Sequence, residues 1–202
     1  MILTYNDILK RAGLNDSDVI AAYSYGSRAY GNITYNSDWD YIFIVKTKTD
    51  EQFSDNLINI NFFDEAGHRT RILNHEISAL ETLFLAPEFI LKETYKFPFT
   101  LNLAMLRQSC SAKSSNSWVK AKKKLTIEQD YDLAIGRKSL WHAIRIIDFA
   151  IQIAKTGKIY NYSSCNDLYW DIMKHSDWES LFETYKEQYN NILTEFRKVA
   201  PK

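Results

Sequence analysis

Apolar and polar residues alternate along this chain in two distinct regimes. From residue 4 to 13, TYNDILKRAG has helical spacing, with Thr4 placed as an N-cap and Gly13 as the stop. VIAAYSYG (19–26) reads as a strand running into a turn. DYIFIV (40–45) is an unbroken apolar run of the kind buried on both faces. A polar loop, KTKTDEQFSDN, leads to a third predicted strand, LININFF (57–63). Glu76 to Phe84 regains helical spacing through Ile77, Leu80, Leu83 and Phe84. Pro87 ends or interrupts that helix, and Pro98 breaks the next segment.

From Leu101 onward only helical periodicity remains. The clearest helix is expected over Ala134–Thr156, closed by Gly157, and a last one over Trp178–Val199. SCSAKSSNS (109–117) has the composition of a loop. The pattern predicts an α+β chain, with a mixed-sheet lobe over 1–100 and an all-helical lobe over 101–202.

Composition narrows this picture in a few respects. The 202 residues are 46% hydrophobic and 14% aromatic, enough to build a core. Twenty-five basic residues balance 25 acidic ones, so no overall basic field advertises nucleic acid. Cys110 and Cys165 have no metal-ligand spacing and read as idle thiols of a reducing compartment. The first residues lack a signal-peptide core, and no stretch approaches the ~20 apolar residues of a membrane span. The expectation is a cytoplasmic protein with no membrane partner.

The candidate chemistry sits between the first two strands. Asp38 and Asp40, two apart on an extended segment, point to the same side. Adjacent carboxylates repel unless a cation lies between them, and Mg²⁺ takes one or two carboxylates plus substrate phosphates. Gly26 lets the backbone approach a phosphate closely, and Ser27 offers a hydroxyl and an amide. The same residues also fit a plain reading, an Asp-rich turn capping a strand.

Gly26-Ser27, ten intervening residues, then Asp38-x-Asp40 resembles the signature of the DNA polymerase beta nucleotidyltransferase superfamily. GSRAYG…SDWD is closer to one branch, described as predicted, RNA-repair-associated nucleotidyltransferases. ALETLFLAP (79–87), RKSLWHAIRII (137–147) and TGKI (156–159) extend the similarity over most of the chain. The resemblance implies a nucleotidyltransferase lobe joined to helices, and two-metal transfer of NMP from ATP or another NTP to a hydroxyl of RNA or a small nucleotide. Mg²⁺ or Mn²⁺ would be held by Asp38 and Asp40, with Ser27 at the terminal phosphates and Arg28 adding charge or lying idle on the surface. Lys138, His142 and Arg145, at i, i+4 and i+7, fall on the family's K-x-x-x-H-x-x-R positions and would hold the triphosphate. By spacing alone they make a solvated helix face.

The family's third carboxylate is replaced by Asn59, which would complete the metal site with a carbonyl oxygen. Alternatively Asp64 reaches in through a bulge, or activity is lost. WVKAKKKL (118–125) sets Lys120, Lys122, Lys123 and Lys124 beside Trp118, a pattern that suits a phosphodiester backbone or a plain charged helix face. Two other functions share the first motif: an antitoxin-like enzyme that adenylylates a protein, and a catalytically degenerate nucleotide- or RNA-binding module.

Overall fold

A computed structural model describes residues 3–35, 37–47 and 51–201. Within the polar loop after the second predicted strand, residues 48–50 lie outside the described ones. The chain divides into two compact units, Met1–Leu73 with Ser78–Phe99, and Asn74–Ile77 with Thr100–Lys202. The architecture is α+β: among the described residues, five strands in one mixed sheet in the first unit and long helices in the second.

The first unit opens with α1 (Tyr5–Ala12). Thr4 accepts from the Asp7 amide while the Asp7 carboxylate accepts from the Thr4 backbone, a complete capping box, and Gly13 closes the helix in left-handed geometry at φ 65°. Its strands are β1 (Val19–Tyr25), β2 (Trp39–Val45), β3 (Glu51–Ser54), β4 (Ile58–Phe63) and β5 (Ile90–Glu93), in the spatial order β3-β4-β2-β1-β5. Among the described residues β2 and β4 run parallel, and the β1–β2, β1–β5 and β3–β4 pairings are antiparallel. One sheet face carries Ala22, Tyr41, Phe43, Val45, Ile58, Ile60 and Phe62, packed with Ile8 and Leu9 of α1. Burying Ile8 and Leu9 contributes roughly 2 kcal/mol each. Strict alternation in β4 then sends Asn59 and Asn61 to the opposite face.

Several elements differ from the sequence expectation. The polar loop contains β3, an edge strand whose side chains are mostly exposed and so carry no apolar alternation. A four-residue helix, α2 (Ser27–Tyr30), begins directly after Gly26. The unit adds α3 (Glu65–Leu73) before the expected helix, which is α4 (Ile77–Leu83).

The helical unit contains α5 (Leu103–Thr126), α6 (Leu133–Thr156), α7 (Asn166–Ile172) and α8 (Trp178–Val199). The segment 109–117, expected as a loop, lies inside α5. Its small polar residues serve close helix packing: Cys110 and Ser114 are buried, and the Ser114 hydroxyl donates to the Ala143 carbonyl at 2.7 Å. Gly136 extends the same close approach, because a Cβ there would collide with the Leu125 side chain. On α6, Ile135 is 38% exposed, whereas Ile146 and Ile153 are buried. Both cysteines are buried free thiols. Burial pushes the Cys165 thiol up to about 12, with Asp148 adding to the shift. Among the described residues no helix is long and apolar enough to cross a membrane.

Candidate functional site

The Gly-Ser turn and the two aspartates meet at one end of the sheet. β1 ends at Tyr25, whose antiparallel partner is Asp40. Gly26 then takes φ 73° and ψ −149°, a conformation that only glycine adopts readily. That conformation brings its Cα against the Asp40 side chain. A Cβ at residue 26 would lie 3.0 Å from the Asp40 Cβ and 3.1 Å from its Cγ, and closer still to Oδ2. The carbonyls of Gly26 and Ser27 are consumed inside the turn, accepting from Tyr30 at 3.0 Å and from Gly31 at 2.9 Å. Beneath it, the Tyr30 hydroxyl donates to the buried Glu81 carboxylate at 2.6 Å and ties α2 to α4.

Arg28 is part of this end of the sheet. Its guanidinium carbon lies 3.3 Å above the Trp39 ring, and Nη2 approaches the Ser37 carbonyl at 3.4 Å. Burial lowers its pKa, while Tyr41 and the carboxylates Asp38 and Asp40 act in the other direction. A fixed positive charge therefore stands beside both aspartates.

The parallel register places Asp40 directly beside Asn59. The Asn59 side-chain nitrogen donates to Asp38 Oδ2 and, at 3.4 Å, to Asp40 Oδ1. Its oxygen points away and accepts from the Ser54 hydroxyl on β3 at 2.6 Å. This orientation has a physical cause, since an amide oxygen turned toward two carboxylates would be repelled and an NH₂ group is attracted. A second row runs alongside, from Gln52 to Asn61 at 2.9 Å and from Asn61 to the Tyr25 hydroxyl at 2.8 Å. Sequence parity is enough to place the asparagines on this face. Ser54 escapes such reasoning, because the polar composition of β3 is that of a loop.

Asp64 stands elsewhere. It lies just past the last residue of β4 and caps α3, accepting from the Gly67 amide at 2.6 Å. Five residue steps separate it from Asn59, roughly 16 Å at about 3.3 Å per step. It belongs to the opposite end of the sheet. Among the described residues no group of three or more His, Cys, Asp or Glu side chains forms a metal-binding cluster.

In the helical unit, Lys138, His142 and Arg145 form a row along α6. Lys138 is exposed, and Arg145 is buried at 4% exposure. The Arg145 guanidinium lies 5.1 Å from the Trp141 ring and 4.8 Å from that of Phe149. It also meets His142 Nδ1 at 3.2 Å, where the imidazole accepts. Although His142 is partly exposed, burial of its ring holds its pKa well below the usual histidine value. Arg145, Lys138, Lys120 and Lys113 push in the same direction. Lys113 is an addition to the residues expected from sequence, and its spacing to Lys120 (i, i+7) is the signal that could have found it.

Of the lysine cluster on α5, Lys120, Lys122 and Lys123 are exposed, and Lys124 pairs with Asp130 at 2.5 Å. The neighbouring Trp118 stacks on Tyr189 at 4.2 Å, so that face of its ring is taken by packing.

No protein-family model matches the chain, and no curated protein does. Among solved structures, it is similar to the crystal structure of spectinomycin adenyltransferase AAD(9) from Enterococcus faecialis with ATP and spectinomycin. That similarity covers 99% of this chain and 91% of the other, with a TM-score of 0.45 and 14% identity.

Proposed function

We propose that this protein is a metal-dependent nucleotidyltransferase that moves NMP from an NTP to a hydroxyl acceptor on RNA or a small nucleotide. One observation carries the reading: Gly26 is packed against the Asp40 side chain, with Asp38 and Arg28 beside it. A plain strand-capping turn has no need of glycine in contact with a carboxylate. A phosphate site next to a metal site does.

In this reading Asp38 and Asp40 would hold Mg²⁺ or Mn²⁺, which when bound neutralises charge on the phosphates and polarises the reacting phosphoryl group. Both carboxylates reach a single donor, the Asn59 amide, a closeness that fits them to share a cation. The Ser27 hydroxyl and backbone amide bind terminal phosphate oxygens, with Gly26 permitting the approach. Arg28 balances developing negative charge from its place over Trp39. The acceptor oxygen bonds to the α-phosphorus as the bond to the β-phosphate breaks. Pyrophosphate leaves with the electron pair, and Asp38 or Asp40 takes the hydroxyl proton. Lys138, His142 and Arg145 with Lys113 and Lys120 form a basic group suited to phosphate, His142 remaining neutral and donating through Nε2.

The test is incubation of the chain with each α-labelled NTP and Mg²⁺ or Mn²⁺, with RNA or with cell lysate. Label on RNA or a nucleotide supports the proposal. Label on a protein gives the antitoxin-like reading instead. The Asn59 amide specifically favours a third reading, a binding module, which retained NTP without transfer would establish.

A further inference from the structure

We infer that the site formed by Asp38 and Asp40 takes one divalent cation, not two, because the Asn59 amide closes the side on which a second would bind. The inference rests on the proposed nucleotidyltransferase reading and concerns how its metal site is built.

A pair of ions about 3.5–4 Å apart needs carboxylate oxygens on both flanks and enough negative charge to hold four positive ones. Here the two flanks of the aspartate pair are unlike. On the β4 flank, Asp38 Oδ2 and Asp40 Oδ1 both face the Asn59 nitrogen. A hydrogen-bond donor cannot ligate a cation, and it already neutralises part of the charge that would attract one. The oxygen that could ligate is turned outward and held by the Ser54 hydroxyl at 2.6 Å. On the other flank, Asp40 Oδ2 faces Gly26. That flank, beside the turn proposed to receive phosphate, is where Asp40 would hold an ion.

Charge points the same way. Two aspartates supply two negative charges, Arg28 stands beside them with one positive charge, and Asp64 is occupied at the far end of β4. The third acid that would balance a second dication is missing from the site. The Asn59 flank would therefore hold no second ion. The Ser54–Asn59 pair is the positioning element: it fixes the two carboxylates toward each other without metal.

The experiment counts ions. The full chain is dialysed to equilibrium against Mn²⁺ and an equimolar set of the four α,β-methylene NTPs, in which the scissile bond cannot break. Bound manganese and bound nucleotide are then measured per chain. The expected ratio is one manganese per nucleotide for the native chain and two for Asn59→Asp, which restores an acid at that flank without changing side-chain size. Two ions per nucleotide in the native chain would overturn the inference and leave the nucleotidyltransferase reading standing, since the amide must then have rotated to ligate. One ion in both proteins would also overturn it, by showing that Asn59 does not set the count. If the native chain retains neither nucleotide nor manganese, the reading beneath the inference fails as well.

Discussion

Replacing Gly26 by alanine tests the link between turn and carboxylate with no change of charge. The geometry imposes two costs. At φ 73° and ψ −149° an L-residue sits in a region that is essentially glycine's own, a strain of about 1–3 kcal/mol. The added methyl would also lie 3.0 Å from the Asp40 Cβ and 3.1 Å from Cγ, so Asp40 must turn away or β2 must shift. Overpacking of this kind costs about 1–3 kcal/mol. Together they give about 2–6 kcal/mol, a fall in Tm of roughly 4–24 °C for a chain of this size. Thermal unfolding monitored by circular dichroism measures the sum. A double-mutant cycle with Asp40→Ala separates the parts. Removing the carboxylate should relieve the contacts with Cγ and Oδ2 but neither that with Cβ nor the backbone strain, leaving a coupling of about 1 kcal/mol or more between the two sites. Additive effects would show that Gly26 serves only the turn, and the central observation behind the functional proposal would lose its force. Gly26→Ala with an unchanged Tm would refute the backbone argument too.

Asp38→Ala and Asp40→Ala should each abolish NMP transfer while the circular dichroism spectrum and cooperative melt persist. Retained turnover in both would end the metal assignment. Ser27→Ala should weaken binding of a non-hydrolysable NTP by about 3–10-fold, the value of one hydrogen bond near 1 kcal/mol, and unchanged affinity by calorimetry would make the hydroxyl a bystander. His68 carries a separate pH prediction. Burial, helped by Arg71 and Arg69, holds its pKa at about 4 against 6.5 unfolded, so the unfolded chain binds the extra proton in that window and stability falls as pH drops through it. The gap corresponds to about 3 kcal/mol. His68→Leu should remove most of that dependence in urea unfolding at pH 7 and pH 4.5, and a variant as pH-sensitive as the native chain would contradict the assignment.

How far each feature is legible in the sequence depends on how it is encoded. Helix α1 is legible because its cap, its acidic N3 residue and its terminal glycine are local signals. β2 is legible because a buried strand must be apolar throughout. β3 is not, since an edge strand with only Phe53 partly buried has no need of alternation, and its pairing with β4 is settled by the fold. The serine-rich middle of α5 misleads for the opposite reason. Small polar residues in a helix resemble a loop by composition, yet they are what lets α6 approach to within a hydrogen bond of Ser114.

The site shows the same division between local code and tertiary result. The period of two along β4 is sufficient to put Asn59 on the aspartate face, whereas the bulge that would have turned Asp64 inward is excluded only by the folded chain, where Asp64 lies past the end of β4 and accepts from the Gly67 amide. The direction of the Asn59 amide is beyond any such pattern. It depends on two carboxylates from β2 and its approach on one side and a hydroxyl from β3 on the other, strands that meet only in the sheet. Replacing an acid by an amide at that position reads, in sequence, as the loss of one metal ligand. In the folded chain the amide is a donor bridging the two remaining acids, so the substitution changes the sign of the group facing them. That reversal is why Asn59 governs the number of cations in the proposed site, whereas a merely neutral residue there would only weaken their binding.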